Sequence, residues 1–228
     1  MARYSSEAAM SETTSTVFVV DDDPAVCRAL TRLIRSAGYC VEAFGSAHEF
    51  LECCPDIQGC ACLVLDVGLP DINGLDLQNE LNSTKRPLPI IFITGDGDIA
   101  MTVRAMKAGA TDFLAKPVND SDLLPAIANA LRVSSQALSS RIELDGIHGR
   151  MARLTPRERE VLALLVEGRP NKQSACELGI AEKTIKVHRA RVMEKMEAHS
   201  LVDLVRVIDK VCTRPAPVLH RDSQPRAE

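Results

Sequence analysis

The chain has 228 residues, 46% of them hydrophobic and 25% charged, with a formal net charge of −4; this balance suits a soluble protein of one large or two small domains and excludes a collagen-like or wholly disordered chain. Aromatic residues supply only 3% and Trp is absent, so the cores must be aliphatic. No run approaches the ~18 apolar residues of a membrane span, and residues 1–15 lack the apolar stretch of a signal peptide, so the expected location is the cytoplasm, with no membrane partner.

Charge is unevenly spread. Residues 1–133 carry ten Lys/Arg against eighteen Asp/Glu, whereas residues 151–212 carry twelve against nine. An acidic half joined to a mildly basic half predicts two domains with different partners.

The predicted elements begin after a polar leader at 1–15, expected to be disordered. "TVFVV" (16–20) is a β-branched run and predicts a strand; "DDDP" then opens a helix with Val26, Leu30, Leu33 and Ile34 on one face, closed by Gly38. A short strand at 40–44 precedes a second helix through Cys54, and Pro55 and Gly59 mark the following loop. "ACLVL" (61–65), a helix over 73–83, "PIIFI" (89–93), a helix with Ile99, Val103 and Met106 in register, a strand at 112–114 and a helix carrying Leu123, Ile127 and Leu131 complete five β–α units. Strands that read as continuous apolar runs predict a doubly wound, five-stranded parallel sheet covered by helices on both faces.

The pattern weakens over 134–153, "SSQALSS" followed by "LDGIHGR", which predicts a linker with Gly146 and Gly149 as weak points. Four short helices follow, at 156–168, 171–178, 182–196 and 200–210, the first opened by Thr155 as N-cap with Pro156 and Glu158 behind it. The Pro-containing tail at 213–228 is expected to be disordered.

In a parallel α/β sheet, functional groups gather beyond the carboxyl ends of the strands. Strand one ends at Asp21, Asp22 and Asp23, strand three at Asp66 and strand four at Thr94, and Lys116 follows strand five; all fall on one rim. Taken singly, each acid has an ordinary reading as a loop residue or helix cap. Converging carboxylates repel one another unless a hard cation sits among them, and Mg²⁺ suits such a site because it takes a few carboxylates and keeps several waters. A carboxylate, a cation, a hydroxyl and a Lys form a minimal phosphoryl-transfer site with Asp66 as acceptor.

The motifs "VVDDD", "LVLDVGLPDINGLDL", "FITGDGD" and "DFLAKP" resemble the receiver domain of two-component response regulators, over 16–133. The resemblance implies a flavodoxin-like fold, phosphorylation of Asp66 by a sensor histidine kinase, Asp21 and Asp22 as the acid pair for Mg²⁺, and the backbone carbonyl of Gly68 in the metal shell. It also implies Thr94 and Lys116 as phosphate contacts, Phe113 as an aromatic switch, and a cis peptide at Lys116-Pro117. Gly68 and Asp96 stand where the family flanks the phosphoryl group, so they bear on how long it persists.

Cys53, Cys54, Cys60 and Cys62 lack a CxxC spacing, and the pair at 53–54 diverges by ~100° on a helix, so buried packing is expected of them. A cysteine-based redox or metal sensor is the rival reading from another class. An aspartate-nucleophile phosphotransferase or phosphatase is the rival from the enzyme class; it would need a general acid two residues past Asp66, where Gly68 stands.

In the basic half, "NKQSACELGIAEKTIKVHRARVMEKM" contains two helices broken by "LGIA", the glycine-containing turn of a helix-turn-helix. A helical wheel over 182–196 puts Ile185, Val192 and Met196 toward a core, with Lys183, Lys186, Val187 and Ala190 opposite and Arg189 and Arg191 on the flanks. With Thr184, these form the candidate DNA-contacting set, Val187 matching a thymine methyl and the arginines matching phosphates. Exposed lysines alone would be mere solvation.

The run from Leu154 resembles the LuxR-type DNA-binding domain of FixJ-like and StyR-like regulators, over 154–212. The resemblance implies that the third helix reads double-stranded DNA and that the last, with Leu201, Leu204 and Val207, helps form a dimer. His188 falls near the core edge and is assigned a structural or phosphate-contacting role. The whole is identified as resembling a response regulator of the FixJ/NarL class, monomeric until phosphorylation pairs its receivers through 98–109, 112–114 and 119–132.

Overall fold

The computed structural model describes residues 15–53, 57, 59–83, 88–95 and 99–212. The expected tail at 213–228, the leader up to residue 14, and Cys54, Pro55 and Asp96 lie outside the described residues. Two compact units divide between Ser139 and Ser140.

The N-terminal unit alternates strand and helix: β1 (Thr16–Val20), α1 (Pro24–Ser36), β2 (Cys40–Phe44), α2 (Ala47–Cys53), β3 (Ala61–Asp66), α3 (Gly74–Ser83), β4 (Ile90–Thr94), α4 (Ile99–Lys107), β5 (Asp112–Ala115) and the first part of α5 (Asp120–Ala152), whose end belongs to the C-terminal unit. All strand pairs are parallel, in the order β2-β1-β3-β4-β5. Because side chains alternate along a strand, Phe18 and Val20 of β1 join Phe50, Leu77 and Phe92 on one face, while Val17 and Val19 join Ile34, Leu123 and Ile127 on the other. Every residue of β3 and β4 is buried, as expected for central strands covered on both sides.

Strand order reverses between β1 and β3, and register aligns their carboxyl ends, Val20 with Leu65 and Asp66 with Ile93. The rim over that reversal is where an open parallel sheet leaves a crevice.

α4 is the helix expected with Ile99, Val103 and Met106 in register; all three are exposed, Ile99 at 81%, while Ala105 is the residue α4 buries. Residues 134–152, expected as a linker whose helical content the sequence left open, continue α5, with Gly146 and Gly149 inside the helix. Tertiary packing outweighs the ~1 kcal/mol helix penalty of each glycine, since Ile147 between them is 1% exposed and sits in the C-terminal core. Cys53 is exposed rather than packed, whereas Cys62 is fully buried.

In the C-terminal unit, α6 (Pro156–Val166), α7 (Asn171–Glu177), α8 (Glu182–Lys195) and α9 (Leu201–Cys212) pack with the end of α5 around Ile147, Leu162, Ile185, Val192, Met196 and Leu204. Gly179, at φ +66°, makes the turn between α7 and α8, a conformation that costs a side-chain-bearing residue more. Leu204 is buried in the unit's own core with Leu201 and Val207 packed against it, while Val202 on the same helix is exposed.

Thr155 and Glu158 form the expected capping box: Glu158 N–H donates to Thr155 Oγ1 at 3.3 Å and Thr155 N–H donates to Glu158 Oε2 at 2.8 Å. That carboxylate also accepts from Lys195 Nζ at 2.7 Å, tying the start of α6 to the end of α8. The Lys195 hydrogen bond and then the Thr155 N–H hold the Glu158 carboxyl down at about 2, from an ordinary 4.5. A carboxyl depressed in the folded state stabilises above its unfolded pKa, and that contribution is lost as pH falls through the folded one. The C-terminal unit should therefore lose melting temperature between pH ~4.5 and ~2, and Glu158→Gln should remove that part of the slope; identical pH profiles for both proteins would refute the linkage.

Candidate functional site

Asp21 follows β1 directly and is 1% exposed, its N–H held by Phe44 C=O at 3.2 Å. Its Oδ1 accepts from Asp23 N–H at 2.9 Å, and Asp23 in turn caps α1 by accepting from Ala25 N–H at 2.7 Å. The third acid of the run is thus a helix cap, which leaves the first two for the rim.

Asp66 ends β3 and is buried. Its Oδ1 accepts from Gly68 N–H at 3.1 Å and its Oδ2 from Lys116 Nζ at 2.6 Å. Lys116 Nζ also stands 2.7 Å from Asp21 Oδ2, and its backbone N–H donates to Thr94 C=O at 2.7 Å, so the β4 and β5 ends carry Thr94 and the ammonium together. Burial of the ammonium disfavours its charge, but hydrogen bonds and charge from Asp21 and Asp66 outweigh this and raise Lys116 above its usual value. The Lys116-Pro117 peptide is cis.

One carboxylate oxygen from each of Asp21, Asp22 and Asp66 lies within 4.8 Å of the others. Asp21 Oδ2 is fully buried, with Lys116 Nζ 2.7 Å away as its charge partner. Three carboxylates this close, all hard oxygen donors and sharing a single ammonium, fit a divalent cation of the Mg²⁺ kind. Among the described residues no cysteine belongs to a metal-type cluster, and burial pushes the Cys62 thiol up to about 12, which makes it unreactive.

Thr94 is buried at the rim, and Phe113 is half-buried with its ring 6.2 Å from that of Phe92. Gly74 escaped the sequence reading. A Cβ there would stand 2.8 Å from the Asp66 carbonyl oxygen, 3.1 Å from Val67 Cα and 3.2 Å from the Phe92 ring. Only the "DxxxxxxxG" spacing hints at this close approach of α3 to the strand that carries the acid. Gly74→Ala should destabilise the N-terminal unit by about 1–3 kcal/mol, read by urea unfolding, because the overlapped atoms are backbone and cannot rotate away; unaltered stability would refute the steric assignment.

On α8, Lys183, Thr184, Lys186, Ala190 and Arg191 are exposed, as is Val187 at 47%, while Ile185 and Val192 are buried as the wheel required. Lys186 pairs with Glu182 at 3.3 Å, an acid on the same exposed side that the sequence reading passed over. Arg189 is half-buried and donates to Asn171 Oδ1 at 3.2 Å, so it braces α8 against α7. Arg157 donates to the Leu178 carbonyl, fixing the turn between them. His188 is half-buried with Nδ1 unpartnered among the described residues.

The response regulator receiver domain model matches residues 17–128, and the model for bacterial regulatory proteins of the luxR family matches residues 152–208. Response regulator protein TodT of Pseudomonas putida is 44% identical over 204 residues, covering 89% of this chain and 88% of the relative. Nodulation protein W of Bradyrhizobium diazoefficiens is 48% identical, covering 86% of each, and transcriptional regulatory protein FixJ of the same organism is 41% identical, covering 84% and 93%. The structure of response regulator StyR superposes with a TM-score of 0.78 at 46% identity, covering 86% of this chain and 99% of that one; full-length FixJ from B. japonicum gives 0.53 at 40% identity, covering 89% and 100%. TodT, FixJ and StyR are regulators, and on these matches the chain belongs to the response regulators that join a receiver domain to a LuxR-type DNA-binding domain.

Proposed function

We propose that this protein is a cytoplasmic transcription regulator whose promoter binding is controlled by phosphorylation of Asp66. The observation that carries the reading is the Asp66 carboxylate held on one side by Gly68 N–H and on the other by Lys116 Nζ, beside the buried Asp21 carboxylate. Asp21, Asp22 and Asp66 are the side chains that would hold Mg²⁺, with the Gly68 carbonyl beside them. Bound there, the ion neutralises charge on the transferring phosphoryl group.

The donor is a phosphohistidine of a sensor kinase. An Asp66 oxygen forms the new bond to phosphorus, the donor P–N bond breaks, and its electron pair leaves with the histidine. Lys116 supplies fixed positive charge for the phosphoryl oxygens, and Thr94 supplies a hydroxyl from the neighbouring strand end. Phe113, half-buried against Phe92, is the side chain that follows the hydroxyl inward. Asp96 bears on the lifetime of the phosphate but lies outside the described residues.

Pairing of two receivers raises DNA affinity through effective concentration, since a single small helix-turn-helix module binds weakly. The outward-facing Ile99, Val103 and Met106 of α4 give that pairing an apolar surface. In the DNA-binding domain, taken as 154–212, Lys183, Thr184, Lys186, Val187 and Ala190 face the major groove and Arg191 faces phosphate, with Arg189 divided between its Asn171 brace and the backbone.

Sedimentation velocity with Mg²⁺ and beryllofluoride tests the control step: a monomer should become a dimer and bind operator DNA more tightly. A monomer that persists while affinity rises would refute pairing. Lys186→Ala and Val187→Ala should relax preference at particular bases by ~1–3 kcal/mol, whereas Arg191→Ala should weaken all sequences and flatten the salt dependence. Equal losses on specific and random DNA for all three would contradict the groove assignment.

A further inference from the structure

Seven residues, 67–73, separate the phosphoacceptor from α3. The two ends of this loop are fixed by the backbone: Val67 N–H donates to Ile93 C=O at 3.1 Å, and Gly74 N–H donates to Val67 C=O at 3.2 Å. Its middle is fixed by a carboxylate from an exposed residue. Asp71 Oδ2 accepts from His48 N–H at 2.9 Å, in the first turn of α2 and 23 residues earlier in the chain. Partial burial pushes the Asp71 carboxyl up, and backbone N–H groups of His48, Ile72, Asp71 and Ala47 more than offset this and hold it below the usual range.

The α2 terminus already has a local cap. Glu49 N–H donates to Ser46 Oγ at 3.1 Å, and Gly45 N–H donates to Glu49 Oε2 at 2.8 Å. A second carboxylate brought from the loop therefore does most for the loop, whose exposed crest is otherwise packed through buried Leu69 and half-buried Ile72. We infer that Asp71 is a positioning residue for the phosphoacceptor: by tying the 67–73 loop to the start of α2 it sets where Gly68 stands, and through the Gly68 N–H it sets the orientation of the Asp66 carboxylate.

This rests on the reading of Asp66 as phosphoacceptor. A carboxylate turned away from its productive orientation loses rate steeply, because in-line attack depends on placement to within about 1 Å. The Gly68 carbonyl shares the peptide chain of that N–H, so the same loop governs both groups assigned to residue 68.

Three full-length variants test it. Asp71→Ala removes the tie, Asp71→Asn keeps an acceptor oxygen without the charge, and Glu49→Ala weakens the same helix end without touching the loop. In metal-free protein, amide exchange at Gly68 and His48 should quicken in Asp71→Ala, and at Gly45 alone in Glu49→Ala. Mg²⁺ affinity and the rate of phosphoryl uptake from a small-molecule donor should each fall about tenfold in Asp71→Ala, recover mostly in Asp71→Asn, and stay within about twofold in Glu49→Ala. Wild-type exchange at Gly68 in Asp71→Ala, or an equal loss in Glu49→Ala, overturns the inference. A wild-type protein that takes up neither Mg²⁺ nor phosphoryl groups, with the exchange differences still present, overturns the phosphoacceptor reading instead while the loop tie itself stands.

Discussion

Replacing Asp66 with Asn should reduce phosphoryl uptake from a small-molecule donor to below detection while leaving the protein folded. The amide is a poor nucleophile and a weaker ligand for a hard cation, and it also changes how Lys116 Nζ is shared, since that group sits 2.6 Å from Asp66 Oδ2 and 2.7 Å from Asp21 Oδ2. Asn fills the same space, so no cavity forms. It also removes one of three carboxylate charges gathered within 4.8 Å, which relieves repulsion in the metal-free protein. Thermal stability should therefore be unchanged or higher, and this separates lost chemistry from lost fold. Intact-protein mass spectrometry is the readout: a phosphorylated species as abundant in Asp66→Asn as in the wild type would remove Asp66 from the role.

The second large effect is expected at Ile147. It is 1% exposed and belongs to the core shared with Val161, Ile185 and Leu204, although it lies in α5 and before the helix-turn-helix proper. Ile147→Ala should destabilise the C-terminal unit by about 2–5 kcal/mol, the cost of lost burial plus the cavity left behind. Ile142, five residues earlier on the same helix, is 63% exposed, and Ile142→Ala should stay within about 0.5 kcal/mol.

The polar ties of the same segment, Arg150 to Glu197 and Lys210 to Glu143, join partly exposed groups that water and salt screen, so they contribute little beside the core. A fragment spanning 140–212 should consequently unfold cooperatively and bind DNA, while one spanning 154–212 should lack a cooperative transition. Equal urea midpoints for the two fragments would show that the end of α5 is dispensable.

The acids were legible because β1, β3 and β4 are apolar runs that stop abruptly, so the first polar residue at the end of each must lie on the rim. The same logic placed Lys116, and strand boundaries fell within a residue or two of the structure. The wheel of α8 succeeded because Ile185, Val192 and Met196 recur at helical spacing with charged residues between them.

For α4, periodicity reported that the helix has two faces, but not which one meets the core; the buried position is as small as Ala105, and the larger Ile99, Val103 and Met106 face outward. The helical stretch after Leu131 was hidden by serines and two glycines, since its partners, among them Leu162 and Leu204, lie far along the chain and local propensity carries no trace of them. Asp71 and Gly74 were passed over because each acts on a segment that only the folded chain brings near: the start of α2, and the end of β3.

The outward stripe of α4 also sets how the protein should answer to solvent. Under the proposed pairing, contacts through Ile99, Val103 and Met106 would bury hydrocarbon, strengthening with sulfate and weakening on cooling. The proposed contacts between α8 and phosphates would release counterions, weakening as salt rises. Raising ammonium sulfate should thus drive self-association while stripping the protein from DNA, and chilling a dilute sample should loosen the pairs without touching the ionic grip. Cooling acts on one kind of contact, and salt pulls the two in opposite directions.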